Sequence, residues 1–171
     1  SLHDALPIYQ IILNDQIPNT INLDGLQPAN NRAYFAKAEY ADQRMNVYDP
    51  YVRYYAINTK KVPNVKHRQA ILAAVNRDEL RTIAGGDYAG DFADGVVKPN
   101  ICADYAPTGL WDGLLGEAVP AEGNPELAKK LIADSGEAFP QPFVIDYAQS
   151  ETNDKAAASL VASLAKGGIV A

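Results

Sequence analysis

Cysteine is almost missing from this 171-residue chain: Cys102 stands alone. One thiol forms no internal disulfide and no thiolate zinc cluster. So low a count suits the cytoplasm and a bacterial cell surface equally well and does not choose between them. Histidine is scarce too, with only His3 and His67. Zinc takes several close ligands, commonly two on one helix face, so a lone His67 between Lys66 and Arg68 reads as a surface side chain. Basic residues are outnumbered, 15 Lys and Arg against 21 Asp and Glu, for a net charge of -6 and a pI of about 4.8. That balance argues against nucleic acid, whose phosphates need clustered cations, and against electrostatic attachment to anionic lipid. No apolar run approaches the roughly 20 residues that span a bilayer. Ser1–Gln10 also lacks the basic start and apolar core of a signal peptide.

Catalytic signatures are equally sparse. There is no Gly-x-Ser-x-Gly elbow. Cys102 has no neighbouring base to lower its pKa. The run Gly85-Gly86-Asp87-Tyr88-Ala89-Gly90 follows a helical pattern, not a strand, and lacks the Lys-Ser/Thr pair of a phosphate loop. Asp87, Asp91 and Asp94 do not alternate as calcium ligands of an EF-hand do, and read as a solvated acidic loop. No catalytic residue, metal ligand or cofactor is therefore expected.

What is present is the composition of a folded domain: 47% hydrophobic and 21% charged residues. Tyr9–Leu13, Asn19–Leu23, Met45–Tyr48 and Val52–Asn58 favour strands, and a helix opens at Pro28 and runs to Tyr40. Val65–Val75 places Ile71, Leu72 and Val75 on one helical face. Asp78 begins a second short helix that runs through Ile83 and stops at Gly85-Gly86. Asp87 to Ala121 is rich in Gly and Pro; so long a loop is uncommon unless it is functional or covers a partner surface. Asn124-Pro125 caps a helix with Leu127 and Leu131 inward and Gly136 at its end. Phe143–Tyr147 reads as a strand. Thr152 or Asn153 starts a helix whose buried face is Ala157, Leu160, Val161 and Leu164, and Gly167-Gly168 leads to a strand at Ile169-Val170. Strand, helix, strand at this spacing predicts a βαβ unit with parallel strands. The chain is thus expected to be α/β.

Tyrosine is the unusual abundance, ten against one Trp and four Phe. Its flat ring and hydroxyl suit polar ligand surfaces. In Tyr54-Tyr55, strand alternation would send one ring to the core and the other to a cleft.

The series Tyr54-Tyr55-Ala56-Ile57-Asn58-Thr59, then Pro63, Arg68-Gln69-Ala70-Ile71, Asn76-Arg77-Asp78 and Asn124-Pro125 through Gly136 resembles the bacterial extracellular solute-binding proteins of family 5, which serve oligopeptide and dipeptide ABC importers. The likeness runs over most of residues 20–171. His67 departs from it, standing where an apolar residue is common, and Gly123-Asn124 stands where Tyr-Asp is common. The resemblance implies a fragment of a two-lobed, periplasmic-binding-protein-like (type II) fold, with mixed sheets flanked by helices. Residues 1–8, which resemble translated adapter DNA, are expected to be a non-native tail. Residues 9–58 would end the first lobe and carry the hinge-crossing strand, and 59–171 would start the second.

The function so implied is capture of a peptide or similar small solute between lobes that close on it, without enzymatic activity. ABC permease subunits would be the partners. The setting would be the periplasm or the outer membrane face, with membrane association through a lipid anchor or permease outside the fragment. Tyr54, Ala56 and Asn58 are the expected ligand-binding residues. An α/β hydrolase-like enzyme whose catalytic residues lie outside the fragment is the alternative, and a sensor or adhesive surface protein a third.

Overall fold

A computed structural model describes residues 36–43, 51–99 and 101–171. The chain divides into two compact units, Ser1–Asn46 and Val47–Ala171. In the first, the described residues include a 3₁₀ turn at Ala38–Gln43, with Lys37 and Glu39 paired at 3.5 Å. The expected strands at 9–13, 19–23 and 45–48, and the start of the helix at Pro28, lie outside the described residues.

The second unit is built on four helices: α1 (Val65–Ala74), α2 (Arg77–Ile83), α3 (Pro125–Asp134) and α4 (Glu151–Lys166). A short 3₁₀ turn, Gly86–Tyr88, follows α2. Each α-helix starts at a side-chain cap that accepts one of the amides left without an intrahelical partner. Asn64 takes the Lys66 amide, Asn76 that of Glu79, Asn124 that of Leu127 and Ser150 that of Asn153. The Asn124-Pro125 start is as expected. The starts of α2 and α4 are corrected from Asp78 to Asn76 and from Thr152 or Asn153 to Ser150. In both, an earlier Asn or Ser had the extended backbone that a cap requires.

The principal helix packing joins α1 to α3. Ala70, Ile71, Ala73 and Ala74 of α1 meet a core that holds Leu127, Ala128 and Leu131 of α3, with Leu164 of α4 and Ile169 beyond it. Small residues set the closeness. A Cβ on Gly167 would stand 2.7 Å from the Ala74 Cβ and 3.1 Å from that of Ala128. Of the expected inner face of α4, Ala157, Leu160 and Leu164 are buried, but Val161 is 39% exposed; Ala156, Ser159 and Ser163 are buried as well.

The segment before α3 completes the ends of α1 and α2. Ala121 accepts from the Arg77 and Asp78 amides at 2.7 and 3.1 Å, and the Asn124 amide donates to Ala73 at 2.7 Å. Gly123 sits between them at a φ of +87°, where a Cβ would be 2.9 Å from the Ala74 carbonyl oxygen. Only glycine combines that backbone with that approach.

His67 overturns its reading as a surface residue. It is 2% exposed, its Nε2 lies 2.8 Å from Ser135 Oγ, and its ring centroid is 5.1 Å from that of Phe139. The cationic neighbours in sequence point elsewhere on the helix, while position 67 faces the tail of α3.

The expected strands are corrected too. Among the described residues Val52–Asn58, Phe143–Tyr147 and Ile169–Val170 form no ladder, and the pairing of the βαβ unit is absent; an isolated antiparallel bridge joins Asp112 and Ala118. The alternation itself is there: Phe143 and Ile145 pack on the core while Val144 and Asp146 are exposed. Side-chain period places faces, but a sheet also needs a neighbouring edge with matching amides and carbonyls. Gln141 Nε2 donating to Val170 O at 3.0 Å ties the two expected strand regions instead.

Two substitutions test this packing in thermal or denaturant melts. Gly167→Ala should destabilise by about 1–3 kcal/mol through overpacking against Ala74 and Ala128. His67→Ala should cost about 2–4 kcal/mol, and His67→Leu less than half of that, because Ser135 Oγ keeps the Ile132 and Glu137 carbonyls as partners.

Candidate functional site

Two adjoining concavities mark the surface of the second unit. One, of about 480 Å³, is walled by Val52–Tyr55 on one side and by Ile145, Asp146 and Tyr147 on the other, with Asn153, Ala157 and Leu160 of α4 beneath. The other, of about 430 Å³, lies across residues 143–147 and reaches Asp154 and Val161. Ile145, Tyr147 and Ala157 line both.

The three expected ligand residues divide. Tyr54 lines the larger groove and is 72% exposed. Tyr55 is 56% exposed and lines it too, so neither ring of the pair enters the core. With no sheet beneath residues 52–55, strand alternation does not separate the two rings. Ala56 is exposed beyond the groove lining. Asn58 closes a turn: its Oδ1 accepts the Lys60 and Lys61 amides at 3.0 and 3.2 Å, and its carbonyl accepts those of Lys61 and Val62. That turn delivers Val62 into the core ahead of α1. Sequence reasoning missed Ile145, Asp146, Tyr147 and Asn153 as lining residues. The available signal was the outward phase of Asp146 in the 143–147 alternation.

Tyr147 is positioned by α4. A hydrogen bond to Asp154 raises its pKa above the ordinary phenol range, with smaller contributions from desolvation and from the carboxylate charge. Asn153 Nδ2 donates to the Ala148 carbonyl at 2.8 Å, tying the same stretch of chain to the helix start. Glu151 and Lys155, one turn apart, bond at 2.7 Å, which holds the Glu151 carboxyl below its usual range.

The irregular stretch after α2 is organised by two arginines. Arg77 stacks on Trp111 at 3.6 Å from the ring centroid and donates to the Val119 and Pro120 carbonyls. Partial burial lowers its pKa, and Glu122 opposes the shift. Arg81 lies over Phe92, donates to the Gly90 carbonyl at 2.8 Å, and pairs with Asp87 at 3.1 Å and Asp91 at 4.0 Å. The acidic run is therefore not simply a solvated loop: Asp87 and Asp91 face Arg81, and Asp94 serves as a cap for the amides of residues 108–110. Among the described residues no group of three or more His, Cys, Asp or Glu is arranged to hold a metal ion, and no helix is long and apolar enough to cross a membrane. Cys102 is free and exposed.

A family model described as "Bacterial extracellular solute-binding proteins, family 5 Middle" matches residues 18–171. Comparison with curated proteins and with solved structures gave no match.

The Tyr147–Asp154 bond predicts a pH dependence. A raised phenol pKa means that the bond's contribution is complete below about pH 10, the free phenol value, and is lost as pH rises through the higher folded value. In an alkaline ultraviolet titration, Tyr147→Phe should remove one phenol from the late-titrating part of the curve and leave the early part unchanged.

Proposed function

The chain belongs to the bacterial extracellular solute-binding proteins of family 5, and from that premise we propose that it captures peptides, or similar small solutes, for delivery to the permease subunits of an ABC importer. The family assignment over residues 18–171 carries this reading, supported by the Tyr-rich groove beside residues 52–55. A binding protein of this kind encloses its ligand by hinge closure and thereby presents a distinct shape to its membrane partner. We place the solute in a cleft between two lobes, with residues 9–58 ending one and 59–171 opening the other.

Tyr54 and Ala56 are proposed to meet the ligand, Tyr54 with its ring and Ala56 by leaving its backbone open. Asn58 contributes by fixing the turn that follows. The backbone of residues 52–57, which lies outside any helix, is proposed to offer amides and carbonyls to a peptide main chain, a mode of holding that is tolerant of side-chain identity. The setting proposed is the periplasm or the outer face of the cell membrane, with an anchor or the permease providing the membrane association. The binding step itself requires no bond making or breaking.

Calorimetry of the full-length protein against a library of short peptides tests the reading. Saturable binding is expected, weakened about tenfold by Tyr54→Ala, a loss of ~1.4 kcal/mol. Failure of every peptide to bind saturably would exclude the peptide assignment, and turnover of a bound peptide into fragments would replace capture with hydrolysis.

A further inference from the structure

The groove beside residues 52–55 carries two opposite charges on its facing walls. Asp146 lines one wall and Arg53 the other, and both side chains are exposed. The carboxylates at the start of α4 are already committed: Glu151 accepts from Lys155 at 2.7 Å, and Asp154 holds the Tyr147 hydroxyl. Among the described residues Asp146 and Arg53 enter no ion pair, either with each other or with a third group. Aromatic rings stand beside both. Tyr54 is 72% exposed, Tyr55 56% and Tyr147 47%, so each keeps ring surface open toward the groove they line. The hydroxyl bond to Asp154 fixes the Tyr147 ring next to Asp146.

Bonding to a peptide main chain sets no preference among side chains. Charges on the groove walls do. A basic side chain entering beside Asp146 meets a carboxylate and the face of a tyrosine ring, which attracts ammonium and guanidinium groups. An acidic side chain is repelled there and drawn to Arg53 across the groove. Each attraction is modest, because the groups stay partly in water. The like-charge mismatch on the wrong wall adds to the discrimination. We propose that the groove sorts peptides by side-chain charge, taking a basic side chain at Asp146 and Tyr147 and an acidic one at Arg53. This assignment rests on the capture role proposed above and names the class of solute that the same groove prefers.

Calorimetry on the full-length protein tests it with alanine tripeptides whose termini are free. Lysine is compared with norleucine, and glutamate with glutamine, at each position in turn. At the best position lysine should bind about fivefold tighter than norleucine, and glutamate about threefold tighter than glutamine. Asp146→Asn should abolish the lysine preference and leave that for glutamate, and Arg53→Gln should do the reverse. Both side chains are exposed, so both variants should melt as the wild type does. Equal binding within either pair at every position would overturn the proposal and leave peptide capture standing. A lysine preference that survives Asp146→Asn, or a glutamate preference that survives Arg53→Gln, would overturn it too. If no peptide binds at all, capture fails and the charge assignment fails with it.

Discussion

The close approach of α1, α3 and the end of α4 is the constraint on which the second unit depends. It exists because Ala74, Ala128 and Gly167 meet where larger side chains would collide. Once backbones come this near, the polar groups at the helix ends lose access to water and must be paired within the protein. The 121–124 segment provides that pairing, through the Ala121 carbonyl and the Asn124 amide. Gly123 permits it by carrying no Cβ against the Ala74 carbonyl. Packing and hydrogen bonding are thus one device: neither the alanine face of α1 nor the cap of α3 works without the other.

The groove inherits its floor from this core. Ala157 and Leu160 face it from α4, while Leu164 on the same helix, one turn after Leu160, is in the core. Its walls are of another kind, segments outside the helices that are held by side chains. Tyr147 is held through Asp154, the chain after it through Asn153, and the end of the 52–58 segment through Asn58.

Charge has a local role that the net value of -6 conceals. Arg77 and Arg81, both on α2, bond to backbone carbonyls and lie over aromatic rings, so they act as fasteners for the loop that follows. Delocalised, weakly hydrated guanidinium suits that work better than an ammonium would. The carboxylates of Asp87 and Asp91 complete the Arg81 side, while Asp94 works alone on amides.

Much was legible in the chain before any coordinates. Apolar spacing announced the α1 region, and the Asn124-Pro125 cap with Gly136 announced α3, because those signals act within a few residues of themselves. The order of motifs from Tyr54 to Gly136 identified the family, because side chains that recur at fixed spacing survive without reference to what they touch. Tertiary structure alone decided the rest. It buried His67, since nothing near it in sequence reveals Ser135 and Phe139. It gave Asp87, Asp91 and Asp94 distinct partners, since Arg81 and the 108–110 amides reach them across a loop. It put Tyr54 and Tyr55 on one groove and, among the described residues, left 52–58 and 143–147 without a ladder, because alternation specifies a face while pairing is a property of two chains of atoms brought together in space.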